Sequence, residues 1–145
     1  MIQTISQLIA QCESGGNPFA VRFEPAYHPD PEQVAAYAKA HGISHMTAEV
    51  LCACSWGMYQ EMGDNLLRAG MSVTFQEFAN DQAMQTEFFG KYLAADHLDY
   101  TLADVVNDEA KRLEFARLYN GPGAPERYAA YMMAVYQREN GQAGA

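Results

Sequence analysis

The sequence has few cationic residues and few cysteines, and both shortages limit what the protein can do. Nine Lys and Arg stand against eighteen Asp and Glu, giving a formal net charge of -9 over 145 residues. A surface of that sign lacks the basic face with which proteins neutralise nucleic-acid phosphates, so we expect no nucleic-acid partner. The three cysteines form no Cys-x-x-Cys pair and their odd number fits no disulfide framework, so we interpret them as small buried hydrophobes.

Long apolar runs and metal-binding spacings are also missing. No segment approaches the roughly 18 apolar residues of a membrane-spanning helix, and the start, Met-Ile-Gln-Thr-Ile-Ser-Gln, has no cationic n-region or apolar h-region. We therefore expect no membrane span and a protein made in the cytoplasm without a signal peptide. The four histidines show no His-Glu-x-x-His type spacing, so neither a metal nor another cofactor is implied.

Helical periodicity and helix punctuation are present throughout. Apolar residues at positions 2, 5, 8, 9 and 12 recur at helical spacing, and helix starts follow at Asp30-Pro31, Thr74 and Thr101. The pattern predicts a mostly α single domain over residues 1–140 and a frayed tail over 141–145. Strand is expected only as a short segment after residue 19, with helix continuing through Cys54 and again over 58–69.

A carboxylate marks the end of the first predicted helix. Glu13 precedes the break Ser-Gly-Gly-Asn-Pro, where glycines allow left-handed conformations. The end of the helix dipole and apolar neighbours such as Phe19 would raise the pKa of this carboxyl, as a general acid requires. On position alone, however, a solvated surface glutamate explains Glu13 better. Cys12 as a nucleophile is a weaker alternative, because no histidine lies near it in sequence.

Two further stretches combine aromatic and amide side chains with glycine. Residues 55–60 read Ser-Trp-Gly-Met-Tyr-Gln, and such aromatic faces beside amide and hydroxyl groups suit sugar rings. Residues 115–123 end in Tyr-Asn-Gly-Pro-Gly, which places a phenol and an amide next to a tight turn. Each stretch has a structural alternative. The first would be a core Trp beside a helix break, and the second a helix cap with a packed Tyr, which spacing alone favours.

In order along the chain, the three stretches resemble the three motifs of the soluble lytic transglycosylase and goose-type lysozyme superfamily. The first is Glu-Ser-Gly-Gly-Asn-Pro-Phe-Ala-Val, the second Ser-Trp-Gly-Met-Tyr-Gln and the third Tyr-Asn-Gly-Pro-Gly. The resemblance is strongest to the phage N-acetylmuramidase (endolysin) family, which shares Phe-Glu-Pro, Gln-x-Met-Gly-x-Asn and Phe-Ala-Arg-x-Tyr-Asn-Gly-Pro. Each motif alone is weak, but three in family order over nearly the whole chain form a specific pattern.

The resemblance implies a lysozyme-like helical fold and a role for each matching residue. Glu13 would be the catalytic acid/base that protonates the glycosidic oxygen, and Tyr119 the phenol that hydrogen-bonds and orients it. Ser55 and Gln60 would lie along the floor of a glycan groove, and Asn120 in the sugar-binding cleft. The substrate would be the β-1,4 bond between N-acetylmuramic acid and N-acetylglucosamine in peptidoglycan strands.

The number of catalytic carboxylates separates two mechanisms. A lysozyme-type hydrolase needs a second carboxylate roughly 5–9.5 Å from the first, and Glu24 is the first choice because it lies in a matching segment. Asp30, Asp64 and Glu61 are further candidates, although Glu61 stands where the family has an apolar residue. A lytic transglycosylase needs only one, since the same glutamate recovers a proton from the muramoyl 6-hydroxyl. The lack of a clear second acid slightly favours the transglycosylase.

The sequence also leads to expectations about how the protein reaches the cell wall and what it binds there. A chain without a signal peptide fits a phage lysis enzyme released through a holin, or a virion component that acts on the wall at entry. The expected partner is the glycan strand, and the expected state is a monomer. The alternative from a different class is a non-catalytic, glycan-binding virion structural protein, and the intact Glu-Ser, Gln and Tyr-Asn set argues against it.

Overall fold

A computed structural model describes residues 1–141 and is mostly helical, which confirms the predicted fold class. In chain order its elements are α1 (Ile5–Ser14), β1 (Val21–Phe23), α2 (Pro31–His41), α3 (His45–Cys52), β2 (Cys54–Trp56), β3 (Glu61–Met62), α4 (Gly63–Arg68), α5 (Phe75–Ala79), α6 (Gln82–Ala95), α7 (Leu102–Asn107), α8 (Glu109–Asn120) and α9 (Pro125–Gly141). Of the predicted tail, residue 141 ends α9 and residues 142–145 lie outside the described residues.

Contacts divide the chain into two compact units. Of the described residues, one unit consists of Met1–Gly16 together with residues 92–141, and the other is Asn17–Lys91. No helix within residues 1–141 combines the length and the apolar content needed to span a bilayer.

The first unit is an all-helical assembly. Helix α1 packs against α7 and α9, and α8 packs against α7 and α9. Apolar side chains at helical spacing supply its interior, namely Leu8, Ile9, Val105, Phe115, Met132 and Val135, which are all nearly inaccessible. Helix α1 begins with a capping box between Thr4 and Gln7 and ends at Gly15, whose φ of 66° is left-handed.

The second unit combines helices with a small antiparallel sheet of order β1-β2-β3. Val21 pairs with Trp56 across β1 and β2, and Ser55 pairs with Met62 across β2 and β3. The indole of Trp56 stacks on Phe75 at 4.9 Å between ring centroids and donates its N–H to the carbonyl of Leu51. Trp56 is therefore a core residue, as the structural alternative proposed.

The predicted helix starts in this unit are confirmed, as is helix over 63–68, but the prediction of helix at Cys54 and over 58–62 is wrong. Asp30 caps α2 with Pro31 at its first position, and Thr74 and Glu77 form the capping box of α5. Helix α3 instead ends at Cys52, and two strands and a turn precede α4. The error has a physical reason. Strand β2 pairs with β1, more than thirty residues earlier, β3 pairs only with β2, and strands this short carry no local alternation of their own.

Candidate active site

Glu13 is the penultimate residue of α1, at the point where the helix stops. Glycine ends the helix here because the next residue must adopt a left-handed backbone. Gly15 donates its N–H to the carbonyl of Gln11 at 3.2 Å, and Gly16 donates to that of Ala10 at 2.9 Å. The predicted helix end is confirmed, and it leaves the Glu13 side chain half-buried.

A tyrosine that the sequence did not single out holds the carboxylate. The hydroxyl of Tyr128, in the first turns of α9, donates a hydrogen bond of 2.5 Å to Oε1 of Glu13. Burial raises the pKa of Glu13, and the hydrogen bond from Tyr128 opposes that rise by favouring the ionised form. A carboxyl with a raised pKa and a fixed donor has the properties of a general acid.

Tyr128 itself stays a neutral donor. Burial and then the charge of Glu13 raise the pKa of its phenol far above the ordinary value, so the hydroxyl keeps its proton at every working pH. Burial also raises the pKa of the neighbouring Cys12 thiol to about 12. A thiol of that pKa is protonated near neutrality, which argues against Cys12 as the nucleophile.

Tyr119 and Asn120, the third motif, end helix α8. The ring of Tyr119 stacks on Phe115 at 5.5 Å and lies 5.9 Å from the ring of Tyr128, between centroids. It also meets Tyr92 edge-on at 5.9 Å. The structure therefore brings Tyr119 into the aromatic group that contains the hydrogen-bond partner of Glu13. Asn120 is exposed on the same helix end.

Ser55 and Gln60 meet directly within the second unit. The Ser55 hydroxyl donates to Oε1 of Gln60 at 2.8 Å, and the Gln60 amide donates to the carbonyls of Gly57 and Ala20 at 2.9 and 3.2 Å. Gln60 adopts a φ of 53°, an uncommon value for a residue with a side chain. Its three hydrogen bonds hold this backbone conformation. Uncommon backbone conformations that are held in this way occur often at functional sites.

Gln85 on α6 holds this turn by hydrogen bonds and is the second residue of interest that the sequence analysis did not single out. The side chain is fully buried; its Oε1 accepts the N–H of Met58 at 2.9 Å, and its amide donates to the carbonyl of Pro18 at 3.0 Å. A Cβ on Gly57 would lie 2.5 Å from Oε1 of Gln85, and Gly57 has a left-handed φ of 76°. Glycine is thus required at position 57 for two independent reasons.

Three of the candidate second carboxylates have structural partners. Glu24 forms an ion pair with Arg22 at 3.1 Å, and Asp30 accepts the Glu32 N–H as the N-cap of α2. Asp64 is buried and accepts hydrogen bonds from the Tyr27 hydroxyl at 2.7 Å and from the N–H of Asp30 at 3.0 Å. Within residues 1–141, no group of three or more His, Cys, Asp or Glu side chains could hold a metal ion.

Glu61, the fourth candidate, is different. It lies on β3 opposite Trp56, and its Oε2 is buried without a hydrogen-bond partner in the described part of the chain. Burial raises the pKa of this carboxyl to about 7. An apolar residue would fill this position at lower cost, which agrees with the apolar residue found there in the family that the sequence resembles.

Comparison with known proteins decides the family. The N-acetylmuramidase family model matches residues 6–140. The chain is also 32% identical over 147 residues to an endolysin of Enterobacteria phage PRD1, covering 94% of this chain and 97% of that protein. This chain belongs to the N-acetylmuramidase family. No solved structure is a significant match.

Membership makes the protein a glycosidase of the peptidoglycan-cleaving class and gives the site residues their context. In this N-acetylmuramidase family member, Glu13 and Tyr119 lie in one unit, and Ser55 and Gln60 in the other. The sequence holds a weak sign of Gln85, a polar residue one turn before Phe88 and Phe89 on an apolar stripe. It holds none of Tyr128, whose partner lies 115 residues away.

Proposed function

We propose that this protein cleaves the β-1,4 bond between N-acetylmuramic acid and N-acetylglucosamine as a lytic transglycosylase, with Glu13 as its general acid and base. The observation that supports this most directly is the half-buried Glu13 carboxyl with its hydrogen bond from Tyr128. That carboxyl belongs to the first residue of the first motif in a muramidase-family chain.

The first step uses the protonated form of Glu13. The acid donates its proton to the glycosidic oxygen, the bond from that oxygen to the anomeric carbon breaks, and positive charge develops on the sugar ring. Burial keeps the proton on the carboxyl at higher pH than in water, and the fixed Tyr128 hydroxyl stabilises the carboxylate left behind.

The second step returns the proton. The 6-hydroxyl of the muramoyl residue attacks its own anomeric carbon, and its proton passes to the Glu13 carboxylate, which gives a 1,6-anhydro product and consumes no water. The occupied carboxylates support this route over hydrolysis, since Glu24, Asp30 and Asp64 have structural partners and burial favours the protonated form of Glu61. A hydrolase with Glu24 as its second carboxylate is the alternative.

The remaining motif residues would form the glycan-binding groove. We assign Ser55 and Gln60 to hold the shape of its floor, because the Ser55 hydroxyl is buried and its proton and those of the Gln60 amide are donated within the protein. Asn120 offers an exposed amide at the end of α8, and we assign Tyr119 to orient the Glu13 carboxyl together with Tyr128.

The test is Glu13→Gln, which keeps the shape of the side chain and removes the acid. We expect clearing of purified peptidoglycan to fall roughly 10²–10⁴-fold, with the melting temperature unchanged. Glu126→Gln, at an exposed position in the first turn of α9, is the control for loss of one negative charge. Unchanged lysis by Glu13→Gln would overturn the assignment of Glu13, whereas a wild-type protein that does not clear peptidoglycan would favour a non-catalytic glycan-binding protein.

Product analysis decides between the two reactions. Mass spectrometry of muropeptides released by the wild-type protein should show 1,6-anhydro ends, which are one water lighter than reducing ends. A product mixture made only of reducing ends would establish hydrolysis instead.

We also propose that the protein serves a phage, as a lysis enzyme freed by a holin or as a virion component. The similarity to a phage endolysin supports the phage origin. Immunodetection in purified virions, compared with the soluble fraction of lysing cells, separates the two roles. Sedimentation of the same preparation tests the expected monomer.

A further inference from the structure

The C-terminal carbonyl groups of α1 are satisfied from two sources. The last carbonyls of a helix have no partner within it and must find donors elsewhere. Gly15 and Gly16 supply backbone N–H groups to the carbonyls of Gln11 and Ala10. The next carbonyl, that of Cys12, accepts a hydrogen bond of 3.1 Å from the hydroxyl of Tyr131 on α9.

Two phenols of one helix thus hold two adjacent residues of another. Tyr128 and Tyr131 are three residues apart, a spacing that places them on the same face of α9. Tyr128 contacts the side chain of Glu13, and Tyr131 contacts the backbone immediately before it. The pair fixes both the carboxyl and the peptide unit from which its side chain extends.

We infer that Tyr131 is a positioning residue, which holds the end of α1 so that the Glu13 carboxyl stays aligned with Tyr128. This inference rests on the proposed role of Glu13 as the catalytic acid. Tyr131 acts through Glu13 and its function is geometric, so its contribution belongs to the catalytic step rather than to substrate binding.

A water molecule could satisfy the Cys12 carbonyl but could not replace this function. The Tyr131 side chain is 45% exposed, so water would reach the carbonyl if the phenol were removed. Such a water would not be attached to α9, and the link between the two helices at this point would be lost. The stabilisation of the fold by this one bond is therefore small, whereas its effect on alignment is direct.

The hydrogen bond from Tyr131 also affects the pKa of Glu13. Carbonyl oxygens at a helix C-terminus carry partial negative charge that disfavours a nearby carboxylate, and a donor on the Cys12 carbonyl reduces that charge. The other titratable groups of this region are the Cys12 thiol, the phenols of Tyr119 and Tyr128, and the Arg138 guanidinium, which lowers the pKa of the thiol. Loss of the Tyr131 hydroxyl should therefore move the pKa of Glu13 upward.

The experiment compares Tyr131→Phe with Tyr136→Phe, a change of the same chemistry more than one turn further along α9. Turnover is measured on soluble peptidoglycan oligosaccharides, and the Glu13 carboxyl is titrated by ¹³C NMR, its signal assigned by its absence in Glu13→Gln. We expect kcat of Tyr131→Phe to fall about three- to tenfold, as for loss of one ordinary hydrogen bond. KM should be unchanged, the Glu13 pKa should rise, and Tyr136→Phe should match the wild type.

Other outcomes separate this inference from the proposed function. A lower melting temperature with unchanged kcat and unchanged Glu13 pKa would make Tyr131 merely structural and overturn the inference. Full activity of Glu13→Gln would overturn the proposed function instead, and the NMR titration would still show whether Tyr131 controls the Glu13 carboxyl.

Discussion

Two half-buried glutamates, one in each unit, illustrate how burial and function differ. Burial raises the pKa of both Glu13 and Glu61. Glu13 accepts a hydrogen bond from Tyr128 at 2.5 Å, whereas Oε2 of Glu61 has no partner within residues 1–141. Glu13 is the penultimate residue of a helix that two glycines terminate, and Glu61 lies on a two-residue strand.

The difference shows that a raised pKa alone does not identify a catalytic acid. Removal from water makes any carboxyl a weaker acid, and in Glu61 that effect acts without a compensating donor. In Glu13 a neutral phenol opposes it, so the group can give up its proton and remain stabilised afterwards. The Glu24 carboxylate instead forms an ion pair with the Arg22 guanidinium at 3.1 Å.

Tyr128→Phe should produce the largest effect of the tests on this comparison, because it gives Glu13 the unpartnered state of Glu61. We expect kcat on peptidoglycan oligosaccharides to fall 10- to about 100-fold, because the variant loses one strong hydrogen bond to a charged group. The hydrogen bond lowers the pKa of Glu13, so its removal raises that pKa. Activity needs the protonated acid, and its decline on the alkaline side should therefore move to higher pH. A pH–rate profile with an unmoved alkaline side would contradict this reading.

Glu61→Gln tests the other carboxyl through stability. The pKa of Glu61 is about 7 in the fold and about 4.3 in an unfolded chain. The folded state therefore binds more protons, and its stability falls as pH rises between these two values. From pH 4 to pH 8 the wild type should lose about 3 kcal/mol of unfolding free energy through this group.

Urea unfolding at both pH values measures this loss. In Glu61→Gln the fall in unfolding free energy from pH 4 to pH 8 should be smaller than in the wild type by about 3 kcal/mol, because the amide does not titrate. Glu49→Gln, on the exposed side of α3, provides the control and should keep the wild-type slope. Equal slopes in Glu61→Gln and the wild type would show that the carboxyl finds a partner or water in solution.

Glu24→Gln should produce the smallest effect and completes the comparison with an accessible carboxylate. Its ion pair with Arg22 has side chains 33% and 74% exposed, and such pairs contribute about 0.2–1 kcal/mol. We expect unfolding free energy to change by less than about 1 kcal/mol and kcat by less than about threefold. Arg22→Gln is the matched variant for the other partner. A loss of kcat above 100-fold in Glu24→Gln alone would identify Glu24 as the second carboxylate of a hydrolase.

The helix starts and the helix end that are encoded within a few residues could be predicted correctly from the sequence. Thr74 and Asp30 mark helix starts because a side-chain oxygen must satisfy N–H groups two or three residues later. Gly15 marks a helix end for an equally local reason. Residues 58–60 form a turn that the sequence predicts as helix, because the turn is stabilised by Gln85 and Ala20, which lie far from it in sequence.

The sequence by itself determined the helical class, the end of α1 at Glu13 and the family, because caps, breaks and motifs are encoded within a few residues. Only the tertiary structure decided which groups touch the Glu13 carboxyl. Tyr128 and Tyr131 reach α1 from 115 and 119 residues away. No periodicity or spacing specifies a contact across that separation, since it depends on how α1 packs against α9.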